Sequence, residues 1–105
     1  MNLSEYGIFT HPDLQKSLDK NLPECFRKVF DRKMAYFAKN FHHPSLNTKK
    51  YNTRKQTLKR LGIDEVWEFY INRKDYRCIF YVIHEEKKII IVDVGKHSQL
   101  ERRHS

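Results

Sequence analysis

Arg77 and His97 are the side chains of this sequence best suited to chemistry. A guanidinium offers a fork of N–H donors matched to phosphate oxygens and keeps its charge at any useful pH. An imidazole, with an ordinary pKa of about 6.5, takes or gives a proton at neutrality. Those two groups are nearly enough to cut RNA without a metal. The 2′-hydroxyl attacks the adjacent phosphate in line, one group accepts its proton, a cation holds the growing phosphoryl charge, and the leaving oxygen is protonated. Lys96 stands next to His97 as its natural electrostatic companion. A plainer account fits each residue as well: Arg77 in an ion pair with Asp93 or Glu68 on the same sheet face, and His97 as an exposed residue at a strand end.

Other chemistries lack their residues. There is no Ser-His-Asp or Cys-His nucleophile motif, and three glycines build no glycine-rich phosphate loop. Cys25 and Cys78 form no CxxC and fall at apolar positions of a helix and a strand, so buried free thiols are expected. His42 and His43 are adjacent, point in different directions on a helix, and have no carboxylate or cysteine at ligand spacing. They read as a cap region, while His11, His84 and His104 belong to no constellation. No metal or cofactor is expected.

Three consecutive strands must position Arg77 and His97. Aromatic and β-branched residues dominate 66–72, 76–84 and 88–94, separated by polar clusters too short for anything but antiparallel hairpins. Placing Arg73 opposite Tyr76 and His84 opposite Lys88 gathers Trp67, Phe69, Ile71, Cys78, Phe80, Val82, Ile90, Val92 and Val94 on one core face. The opposite face then carries Glu68, Tyr70, Arg77, Tyr81 and Asp93 among Ile79, Ile83, Ile89 and Ile91, a concave polar site floored by aliphatics. The Lys74-Asp75 turn lacks the glycine that two-residue hairpin loops favour.

Ahead of the meander, Tyr6, Ile8 and Phe9 suggest a short first strand. Leu14 and Leu18, four apart behind Pro12, predict a helix to about residue 20. Asn21-Leu22-Pro23 breaks it, and Phe26, Phe30, Met34, Phe37 and Phe41 then recur at helical spacing over 24–40. That aromatic stripe is read as packing for the core face. His42-His43-Pro44 ends the helix. Residues 47–62 are basic and polar, equally compatible with a loop or a short helical turn over 53–61. The 96–101 stretch is either the exit of the last strand or a helical turn.

With 105 residues the chain makes one domain, 1–105. Its net charge is +8, and between residues 32 and 63 stand nine Lys or Arg and no Asp or Glu. A polyanion is the first partner this suggests; a solvated basic surface or an acidic protein partner also suits it. The polar start and the lack of a long apolar run lead us to expect no leader peptide, no membrane span and a cytoplasmic protein.

Three segments in order, HPSLNTKK, VWEFYINRKDYRCIFYVI and IIIVDVGKHSQL, make the chain resemble the RelE/ParE superfamily of toxins from type II toxin-antitoxin pairs. The resemblance implies an α+β, RelE-like fold: a short N-terminal strand and two helices packed on a three-strand antiparallel meander. It implies a cognate antitoxin as partner and, for RelE-like members, the ribosome and mRNA, which they cut. ParE-like members instead inhibit DNA gyrase, and an inactive relative would serve only as antitoxin partner. By position the resemblance implies catalytic roles for Arg77, His97, Lys96 and Asp75, and RNA-facing roles for Lys49, Lys50, Arg54 and Lys55. Where nuclease members place a Tyr or Phe that stacks on the substrate base, this chain has Glu101, which leaves Tyr70 and Tyr81 as candidate substitutes.

Overall fold

The computed structural model describes residues 5–40, 43–72 and 75–104. The chain runs β1 (Gly7–Thr10), α1 (Leu14–Asn21), a 3-10 turn (Glu24–Phe26), α2 (Arg27–Lys39) and a second 3-10 turn (Pro44–Leu46). It continues through β2 (Lys49–Tyr51), α3 (Lys55–Leu61), β3 (Glu65–Tyr70), β4 (Tyr76–Ile83), β5 (Lys88–Lys96) and α4 (His97–His104). The predicted α+β class and meander are present, and the sheet is wider: five strands in the order β1-β5-β4-β3-β2. β1 runs parallel to β5 and all other pairs are antiparallel. The parallel pairing is possible because the helices lie in the intervening chain and carry it back across the sheet.

One core lies beneath α1 and α2. Leu14 and Leu18, one turn apart on α1, are buried with Leu22. Phe30 and Phe37 of α2 are buried, and Phe37 meets the rings of Phe69 at 5.3 Å and Phe80 at 4.9 Å. The aromatic stripe is thus packing, as its period predicts. Phe41, the last residue of the predicted stripe, lies outside the described residues. Of the cysteines only Cys78 is buried; Cys25 is exposed in the 3-10 turn, so the expectation of two buried thiols fails there, because a three-residue turn does not press every apolar position onto the core.

Two register expectations need correction. The predicted opposite of Tyr76, Arg73, is outside the described residues. Where β3 and β4 are described, Phe69 faces Cys78 and Trp67 faces Phe80, two residues from the predicted alignment, and Ile71 N–H donates to the Tyr76 carbonyl at 2.9 Å. A two-residue slide keeps every side chain on its predicted face. Between β4 and β5 the predicted alignment holds from Tyr76↔Lys96 to Ile79↔Asp93, then slips by one at Phe80↔Ile91. This bulge turns Ile89 and Ile91 towards the helices and sends Ile90 and Val92 to the other side, the reverse of the expectation.

The other face is therefore not simply an open polar site. Ile63, Val66, Ile79, Val92 and Leu100 form a second buried cluster, joined by Leu58 of α3. Closure comes from the C-terminal helix, where the sequence left strand exit and helical turn as alternatives, and from α3, which ends at Gly62 in the left-handed conformation, φ 70°. A side chain at Gly95 would meet Gln99 Oε1 at 3.0 Å, so glycine there lets α4 lie directly on β5.

Asp93 fastens that helix. Its carboxylate accepts from Ser17 Oγ of α1 at 2.5 Å, from Arg103 Nε at 2.7 Å and from His104 Nε2 at 2.8 Å. Burial alone would push the Asp93 carboxyl up, but the hydrogen bonds from His104, Ser17 and Arg103 outweigh it and hold the pKa at about 2. Tyr81 contacts His104 Nδ1 at 3.1 Å, and Thr53 Oγ1 donates to the His104 carbonyl at 2.9 Å.

Candidate functional site

Alternation along the strands puts Glu68, Tyr70 and Arg77 on the α4 side of the sheet, with Arg77 directly opposite Tyr70 and Gly95. β2 pairs with β3 so that Lys49 faces Glu68 and Tyr51 faces Val66, which adds both to the same surface. The start of α4 supplies His97, whose backbone N–H donates to the Asp75 carbonyl at 3.3 Å.

These side chains interlock. Arg77 Nη1 donates to Glu68 Oε1 at 2.9 Å and lies 2.7 Å from His97 Nδ1. The guanidinium carbon sits 4.4 Å from the centre of the Tyr70 ring, a cation–π stack, and Lys49 Nζ is 3.4 Å from the Tyr70 hydroxyl. Glu101, one turn along α4, places Oε2 3.6 Å from His97 Nε2. The row Glu68, Arg77, His97, Glu101 thus alternates carboxylate, cation, imidazole and carboxylate. Of the two ion pairs open to Arg77 from the sequence, it makes the one with Glu68; Asp93 is engaged by α4.

Three buried polar atoms around this row make no hydrogen bond among the described residues: Glu68 Oε2, Arg77 Nε and the Tyr51 hydroxyl. Burial, then the nearby carboxylates of Glu68 and Glu101, raise the Tyr51 pKa against the opposing pull of Arg77, so the phenol stays a neutral donor. Sequence reasoning missed Tyr51 because it lay in a segment read as basic loop. Nothing in Lys49-Lys50-Tyr51 itself alternates in polarity, so no local signal marked it as a strand.

The remaining predicted residues stand apart from the row. Lys96 emerges on the other side of β5, its Nζ 6.0 Å from the Tyr76 ring centre. Asp75 meets His97 only through its carbonyl. Lys50 pairs with Glu65 at 3.8 Å, Arg54 precedes α3, and Lys55 opens it. Tyr81 is half-buried against His104, and burial first, then Asp93, raises its pKa while Arg60 lowers it. His43 accepts from Ser45 N–H at the second 3-10 turn, as a cap residue does, while His42 lies outside the described residues. Among the described residues no group of three or more His, Cys, Asp or Glu is arranged to hold a metal ion, and no helix is long and apolar enough to cross a membrane.

This architecture is the RelE toxin fold. RelE from Pyrococcus horikoshii, in a structure of the archaeal RelE-RelB complex, matches with a TM-score of 0.60 and 18% identity, over 90% of this chain and 97% of that one. A metal-bound toxin from Helicobacter pylori matches with 0.59 and 18%, over 90% and 98%. The isolated Escherichia coli RelE toxin matches with 0.55 and 16%, over 93% and 97%. No protein-family model and no curated protein matches the sequence.

Proposed function

We propose that this protein is the toxin of a toxin-antitoxin pair and cuts mRNA on the ribosome. The observation that carries the reading is the guanidinium of Arg77 at 2.7 Å from the imidazole of His97, on a surface bordered by Lys49 in a RelE fold. Both hydrogens of Arg77 Nη1 are engaged by Glu68 and His97, so Nη2 is the nitrogen that first meets a scissile phosphate. His97 moves the proton. Lys49, Lys50, Arg54 and Lys55 provide a basic edge for ribosomal RNA, and the partner of the pair is an acidic antitoxin, complementary to a chain of charge +8. That RelE is found in complex with RelB supports such a partner. Lys96 and Asp75 act from outside the Arg77–His97 row, Lys96 by long-range charge and Asp75 by holding the His97 backbone.

A second reading draws on Glu68 and Glu101, which bracket the row with negative charge: the chain binds antitoxin without cutting. Purified ribosomes programmed with a defined mRNA, followed by mapping of 5′ ends, decide between them. Cuts within the translated frame that vanish in Arg77→Ala and His97→Ala are expected; an intact message with the unaltered protein refutes the nuclease reading.

A further inference from the structure

We propose that Glu101 is a positioning residue that turns His97 so that Nδ1, rather than Nε2, takes the proton of the attacking 2′-hydroxyl; this rests on the nuclease reading above. Arginine cannot accept a hydrogen bond, so the 2.7 Å contact with Arg77 Nη1 makes His97 Nδ1 the acceptor and leaves the ring hydrogen on Nε2. Nε2 faces Glu101 Oε2 at 3.6 Å. The two nitrogens are thereby given different tasks by groups on different elements. Those facing the pair are Arg77 from β4, Glu68 from β3 through the same guanidinium nitrogen, Tyr51 from β2, and Glu101 from α4 itself.

The basic lone pair thus points at the cation that would hold the phosphate, where a 2′-hydroxyl adjoining that phosphate also lies. When the phosphate already met by Nη2 brings a second oxygen onto the Nη1 hydrogen, Nδ1 is released to act. The proton passes from O2′ to Nδ1, the O2′–P bond forms, the P–O5′ bond breaks and O5′ takes a proton from water, whose hydroxide then takes the proton back from Nδ1. A 2′,3′-cyclic phosphate and a 5′-hydroxyl result. The imidazolium so formed keeps its Nε2–H towards the Glu101 carboxylate, the arrangement by which a carboxylate orients a catalytic histidine and stabilises its charged form. Both side chains are about half exposed, and a pair of that kind contributes little to folding. Its effect is therefore sought in catalysis.

The test is cleavage by Glu101→Gln, Glu101→Asp and unaltered protein on programmed ribosomes. Glu101→Gln is expected to lower kcat at least about tenfold, part of the roughly hundredfold or more that a positioned acid–base group supplies. KM should hardly move, and Glu101→Asp should recover most of the rate. A Glu101→Gln protein that cuts as fast as the unaltered one, or faster, overturns the proposal and marks Glu101 as only a repulsive charge. If the unaltered protein cuts nothing, the nuclease reading has failed and the base role falls with it. The nitrogen NMR chemical shifts of the neutral His97 ring then still read the geometry: a hydrogen on Nε2 supports the assigned tautomer, and one on Nδ1 denies it.

Discussion

Arg77 and Glu68 are almost sealed from solvent, with 15% and 7% of their side chains exposed, so each depends on the other for its charge to be tolerable. Removing one partner of such a pair strands the other, at a cost of roughly 3 kcal/mol or more. Arg77→Ala is accordingly expected to lower the denaturant midpoint as well as abolish cleavage, and Arg77→Ala with Glu68→Gln should regain much of the stability and none of the activity. Equal midpoints for the single and double variants would show that the pair is not coupled. Tyr51→Phe is a contrasting case. Its hydroxyl is buried without a hydrogen bond among the described residues, so its loss should leave stability unchanged or raise it by up to about 1 kcal/mol. A clear loss in chemical denaturation would mean that the hydroxyl is bonded after all. Arg77 was legible in the sequence because strand alternation alone fixes its face. The embrace by Glu68 was one of two options, and the closeness of Glu101 to His97 appears only once residues 97–104 are known to be helical.

At the scale of elements, α4 is the piece that brings His97 to Arg77, and Asp93 is what holds α4. A carboxyl held at about 2 instead of 3.8 contributes about 2 kcal/mol, present in full above the ordinary value and lost as pH falls through the lowered one. Stability measured from about pH 5 down to pH 2 should therefore fall less steeply for Asp93→Asn than for the unaltered chain. Parallel curves would remove Asp93 from that role. Helices α1 and α2 and the three strands of the meander could be read from apolar periodicity, whereas α3 and α4, short and polar, stayed open between helix and loop or strand exit. The β-bulge could not be read, because an inserted residue leaves both halves of β5 looking regular and is favoured only by how Ile89 and Ile91 fill the space under the helices. β2 escaped for a different reason: three residues with two lysines carry no apolar alternation, and only the waiting edge of β3 makes them a strand.

Across the whole molecule, the positive charge is concentrated at one end of the sheet and on α3, where Lys49, Lys50, Arg54 and Lys55 lie close in sequence. Phosphate contacts release counterions, so ribosome binding should weaken at least about tenfold between roughly 50 and 200 mM salt. Replacing each of these four by Gln should flatten the logarithmic salt slope by about 1. Binding indifferent to salt would assign the charge to another partner.

The parallel pairing of Gly7–Thr10 with Lys88–Ile91 joins the two ends of the chain. Such a long closure comes late in folding. Until the final third of the polypeptide is available, Phe30 and Phe37 have no β5 to complete their cover and the first strand has no neighbour at all. A newly made chain accordingly passes through an interval in which its greasy underside is open to whatever protein arrives first.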